Sequence, residues 1–142
     1  FFGEVNEDRV KAVREVLINA AEKFSSFTLA ITGIGAFPSP AKARTIFAGC
    51  SSGIKELEAL AGFIDLELSK AGFPAEQMPF RAHLTLGRIR RDEKNLKLEN
   101  FISGNAEAEF GSFHVSKISL IESKLGPQGP TYREIFEVGL NE

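Results

Sequence analysis

The segment FRAHLTLGRIRR, Phe80 to Arg91, holds one of the chain's two histidines and four arginines, at 81, 88, 90 and 91, with no acidic residue among them. Strand side chains alternate with a period of two. An extended segment here therefore projects Arg81, His83 and Thr85 from one face, while Ala82, Leu84 and Leu86 fill the core side. An imidazole that changes charge near neutral pH, beside a hydroxyl and ringed by guanidinium groups, suits a phosphate. The same arginines would equally solvate an edge strand. The pattern thus indicates an anion site without establishing catalysis.

Other reactive side chains carry less. FHVSK places His114 and Ser116 on one strand face in a second His-x-Ser arrangement, read as a surface histidine. Tyr132 follows a Gly-Pro turn and reads as core or strand-edge packing, and Arg44 reads equally as a residue reaching a lobe surface or as a strand-end charge. Cys50 has no histidine near it in sequence, so it reads as a small buried hydrophobe rather than a nucleophile. No cluster of His, Cys, Asp and Glu has metal-ligand spacing.

The elements that must hold these residues follow from periodicity. FFGEV reads as the end of a strand, and Asn6 as the cap of a helix over 7–24 with Val10, Val13, Leu17, Ala20, Ala21 and Phe24 as its stripe. Residues 27–33 alternate as a half-buried strand, followed by turn chemistry in GIGAFPSP. RTIFAG, 44–49, is a short strand. A helix from Ser51 or Ser52 to Ala71 follows, with Gly72 beyond its end and Pro74 after that. Residues 80–89 form a strand and 91–103 a weak helix. Residues 110–123 contain a long strand bulged near Ser116, and GPQGP turns into a last strand, 132–138. Strand, long helix and two strands occur twice in order, a faint internal symmetry. The class is α+β with antiparallel sheets and helices packed on one face of each.

The 142 residues fit one domain of two lobes, and 43% hydrophobic with 25% charged residues excludes a disordered chain. Thirteen Phe against one Tyr and no Trp read mostly as core, since Phe has no polar tip to satisfy. A net charge of −2 gives no global basic field, so an RNA ligand would be held locally, at an end or a single phosphate. The lone cysteine fits a reducing interior, and no apolar stretch is long enough to span a membrane. The chain is expected to be an N-terminally incomplete piece, because residue 1 is Phe and already ends a strand.

HLTLGR, from His83 to Arg88, resembles the second His-x-Thr-x signature of the two-histidine phosphoesterases, in particular the RNA 2′,3′-cyclic phosphodiesterases, long called 2′-5′ RNA ligases. FFGEV resembles the segment just after that family's first signature, and GIGAFPSP with RTIFAG and then SKLGPQGPTY occupy similar places in order. The resemblance implies a bilobal α+β fold with pseudo-twofold symmetry, antiparallel sheets around a central cleft and helices on the outside. It implies hydrolysis of an RNA-terminal 2′,3′-cyclic phosphate to a 2′-phosphate, with 2′-5′ ligation as the reverse.

By the same resemblance His83 is the general base, Thr85 grips a phosphate oxygen, and Arg88 clamps the phosphate. Strict alternation puts Arg88 on the face away from His83, so the strand must end or bulge near Gly87 for it to take part. The first His-x-Thr-x should precede Phe1, so the 142 residues alone are expected to be impaired. No cofactor and no metal are implied. The expected partner is an RNA terminus, such as a tRNA-derived one, or a small cyclic nucleotide. The protein is expected to be a cytoplasmic monomer without a membrane partner. Rival readings are a phosphodiesterase for small cyclic nucleotides and a non-catalytic module that binds RNA or nucleotides.

Overall fold

The computed structural model describes residues 2–89 and 96–142, so Phe1, Arg90 and Arg91 lie outside the described residues. In chain order these form α1 (Glu7–Lys23), β1 (Phe27–Phe37), β2 (Thr45–Ser52), α2 (Ile54–Lys70), β3 (Leu84–Arg88), α3 (Leu96–Gly104), β4 (Glu109–Val115), β5 (Lys117–Gly126) and β6 (Gly129–Gly139), with a 3-10 turn at Pro40–Lys42. The fold is α+β, and the strand pairs β1–β2, β2–β3 and β5–β6 run antiparallel. Two compact units emerge, each assembled from separated stretches of sequence. The first takes Phe1–Phe27, Ala59–Pro79 and Val115–Glu142, the second Thr28–Glu58 and Phe80–His114. No helix among the described residues is long and apolar enough to cross a membrane.

In the first unit, α1 begins where the Asn6 side chain accepts a hydrogen bond from the Arg9 backbone N–H at 3.0 Å. Glu7 and Asp8 lie at the positive end of its dipole and Lys23 at the negative end. Its stripe buries Val13, Val16 and Leu17 against Leu68 of α2 and Phe73. Each fully buried side chain of this size contributes about 1.5–3 kcal/mol. α2 ends as expected. Gly72 takes φ +84°, the Phe73 N–H donates to the Leu68 carbonyl and the Gly72 N–H to that of Ser69. This reversal places Phe73 beside Leu68 in the core. The β5–β6 hairpin closes the unit. Ile118 sits opposite Val138 and Leu120 opposite Phe136, which puts one apolar face on that core. Farther out the ribbon is uncovered, and Tyr132 is 70% exposed instead of packed.

The second unit is built on a four-stranded sheet in the order β3-β2-β1-β4. β1 runs on to Phe37, through residues that read as a turn. Gly33, at φ +73°, absorbs a register shift between Thr32 and Ile34, so the ladder continues past the glycines. The N–H groups of Gly33 and Ile34 donate to the carbonyls of Ala108 and Asn105, beyond α3.

Other elements also depart from the sequence expectation. Residues 2–5 form no strand. The long strand around Ser116 is two strands, because β4 joins the four-stranded sheet and β5 the hairpin. The phenylalanines are mostly not core: Phe73 is the one counted among buried hydrophobics of the described residues, while Phe2, Phe80, Phe101, Phe110 and Phe113 are exposed. Leu84 and Leu86, expected inside, are 54% and 55% exposed. β3 is an edge strand, with a neighbour on one side only, and composition cannot tell an edge from a centre.

Candidate functional site

β3 begins at Leu84, so His83 stands just before the strand at the end of an extended segment. Its Nδ1 lies 2.7 Å from the Arg81 carbonyl oxygen. A carbonyl can only accept, so Nδ1 carries the proton, and in the neutral imidazole Nε2 is left with its lone pair. The ring meets those of Phe37 and Phe47 at steep angles, 86° at 5.4 Å and 73° at 5.7 Å between centroids.

The ladder decides which side chains share this face. Thr85 pairs with Phe47, Gly87 with Ile46 and Arg88 with Thr45, and the register shifts between Ile46 and Phe47. Leu86 is therefore an extra residue without a partner on β2. Cross-strand partners project to the same side, and Thr45 and Phe47 alternate onto one face of β2. Thr85 and Arg88 consequently lie together. The Arg88 Nη1 donates to the Thr45 Oγ1 at 3.4 Å across that face. Arg44 ties the strands at this end. Its N–H donates to the Phe37 carbonyl at 2.8 Å, and its carbonyl accepts from the Ile89 N–H at 2.9 Å.

His83, Thr85 and Arg88 are all exposed, so a proton acceptor, a hydroxyl and a guanidinium are open to solvent on one stretch of β3. Such a set can hold a phosphate and take a proton from water beside it. His114 is elsewhere. It lies on β4, at the opposite edge of the sheet with β2 and β1 between, roughly 14 Å away at ordinary strand spacing. Cys50, on β2, is half-buried, and burial pushes its thiol pKa up, which disfavours the nucleophilic thiolate. No group of three or more His, Cys, Asp and Glu among the described residues could hold a metal ion.

The family model for LigT-like phosphoesterases matches residues 1–47 and 49–132. The chain belongs to this family. Curated relatives include the RNA 2′,3′-cyclic phosphodiesterases of Aeropyrum pernix, 34% identical over 97% of this chain and 77% of the relative, and of Methanothermobacter thermautotrophicus, 32% identical over 95% and 72%. Among solved structures, a Thermus thermophilus protein superposes with a TM-score of 0.76 at 23% identity, covering 99% of this chain and 74% of its own. E. coli LigT complexed with 3′-AMP superposes at 0.74 and 21% identity, covering 100% and 74%.

In this phosphoesterase the sequence reading missed three contributors to the site face. The Arg81 carbonyl is backbone and leaves no trace in residue type. Thr45 and the Phe37–Phe47 pair sit in two of the segments that carried the family resemblance, but only strand pairing brings them to His83. Their signal was the alternation of RTIFAG, which puts Thr45 and Phe47 on one side.

Proposed function

We propose that the protein opens an RNA-terminal 2′,3′-cyclic phosphate to a 2′-phosphate, with His83 as general base. The single observation that carries this is the hydrogen bond from His83 Nδ1 to the Arg81 carbonyl, which leaves Nε2 as the proton acceptor. Water attacks phosphorus and gives its proton to Nε2. The bond from phosphorus to the 3′ oxygen breaks, and that oxygen takes a proton from a second acid. The family resemblance gives this second role to the histidine of a first His-x-Thr-x. The Thr85 hydroxyl donates to one non-bridging oxygen, and the Arg88 guanidinium holds the phosphate charge as it shifts in the transition state. The names of the curated relatives support the substrate class, and the lack of a global basic field fits recognition of an end rather than a long strand. Ligation through a 2′-5′ bond is the same displacement with a 5′-hydroxyl in place of water: it attacks phosphorus and gives its proton to Nε2 as the bond to the 3′ oxygen breaks.

The test is turnover of a short oligonucleotide ending in a 2′,3′-cyclic phosphate by the full-length protein, in EDTA, with and without His83→Ala. Conversion to the 2′-phosphate that the substitution lowers by about 10²–10⁴-fold supports the proposal. Turnover that survives His83→Ala removes the assigned base. Binding without turnover would favour the non-catalytic module instead.

A further inference from the structure

We infer that Phe37 and Phe47 are positioning residues for the His83 imidazole, and that the bare backbone at Gly35 is what allows it. The inference rests on the reading of His83 as the base and names what aims it. A single hydrogen bond through Nδ1 leaves the ring free to swing about that bond, and the outer torsion of a histidine is soft. A base that must present Nε2 in one direction needs its plane fixed as well.

Two rings supply that plane. Phe37 and Phe47 stack on one another at 4.4 Å and 22°, so they act as one block, and both meet the imidazole steeply. Tilted and edge contacts are the arrangements that the charge distribution of aromatic rings favours. Gly35 is the ladder partner of Phe47. A Cβ on Gly35 would stand 2.4 Å from Phe47 Cζ, 2.8 Å from Cε2 and 3.1 Å from Cε1. The Phe47 ring therefore lies across the space a side chain would fill, and this places it against Phe37, two residues along the same strand. Gly35 never touches His83. Its effect is carried through Phe47.

The readout is the motion of the His83 ring, followed by carbon-13 NMR relaxation of its Cδ2–H in histidine-labelled, substrate-free protein, together with the kinetics of cyclic-phosphate opening. The wild-type ring is expected to be well ordered. Phe47→Leu keeps apolar bulk but removes the ring. It is expected to leave Nδ1 protonated, because the bond to the Arg81 carbonyl remains, but to loosen the imidazole and to lower kcat about tenfold, with KM changed less than twofold. Gly35→Ala, which displaces the ring, is expected to do the same. An imidazole as ordered as in the wild type in a folded Phe47→Leu protein overturns the inference. So does a loss that falls entirely on KM, which would make Phe47 a substrate contact. Should Phe47→Leu fail to fold, Phe37→Leu decides on the same two criteria. An imidazole that loosens in a protein with no cyclic-phosphate turnover keeps the positioning role and removes the proposed function instead.

Discussion

Thr85 and Arg88 share one face of β3 although an odd number of positions separates them, because Leu86 is an extra residue with no partner on β2. Without that irregularity the arginine would point away from the hydroxyl. The consequence is that the guanidinium and the hydroxyl are exposed on the same face of β3, a few residues after His83. Removing the Arg88 charge should weaken the hold on the cyclic phosphate. Arg88→Ala is expected to lower kcat/KM roughly tenfold to a hundredfold, the range for one lost charged hydrogen bond. Thr45→Val, which removes only the 3.4 Å contact to Arg88, should cost less than threefold. Steady-state kinetics on a cyclic-phosphate oligonucleotide checks both.

The two histidines should differ completely. His83→Gln is expected to lower turnover by about 10²–10⁴-fold. His114→Gln should leave kcat/KM within twofold, since His114 lies at the far edge of the sheet. Equal losses in the two variants would contradict the assignment of roles. Parallel assays of the purified variants, each checked for native circular dichroism, are enough.

Two glycines should respond to alanine in opposite directions. Gly33 sits at φ +73°, and a Cβ there would come within 2.3 Å of the Ala106 carbonyl oxygen. Gly33→Ala is expected to destabilise by at least about 1–3 kcal/mol, from backbone strain and the clash together. Gly62 lies within α2, exposed, with nothing within 4 Å of an added Cβ. Gly62→Ala should therefore stabilise by about 0.5–1 kcal/mol through helix propensity. Urea denaturation midpoints at fixed slope decide it.

Burial raises the Cys50 thiol pKa above its ordinary value, so less thiolate is present at any given pH below it. Alkylation by iodoacetamide at pH 8 should run slower than for a free cysteine derivative and accelerate as pH rises past 9. The neutral thiol is favoured in the folded form, so its contribution to stability is complete below the unfolded pKa and falls as pH rises above it. A rate equal to that of the free thiol would contradict the shift.

Much of the architecture was written locally. Asn6 and the stripe of Val13, Leu17 and Ala20 specify α1, and Gly72 before Pro74 specifies the end of α2. Those signals involve residues within a turn or two of each other, so the sequence displays them directly. His83, Thr85 and Arg88 were legible as a chemical set for the same reason: they lie within six consecutive positions.

What only the tertiary structure decided is relations between strands. The break at Ser116 depends on β4 and β5 choosing different sheets, and the exposure of Leu84 and Leu86 on β3 being an edge. The fate of the phenylalanines depends on what covers each one. The sequence by itself determined which residues could bind a phosphate and accept a proton. Pairing with β2 decided that Arg88 joins Thr85, and packing among Gly35, Phe37 and Phe47 decided what surrounds His83. Register and cross-strand contact are set by residues far apart in the chain, and no local pattern encodes them.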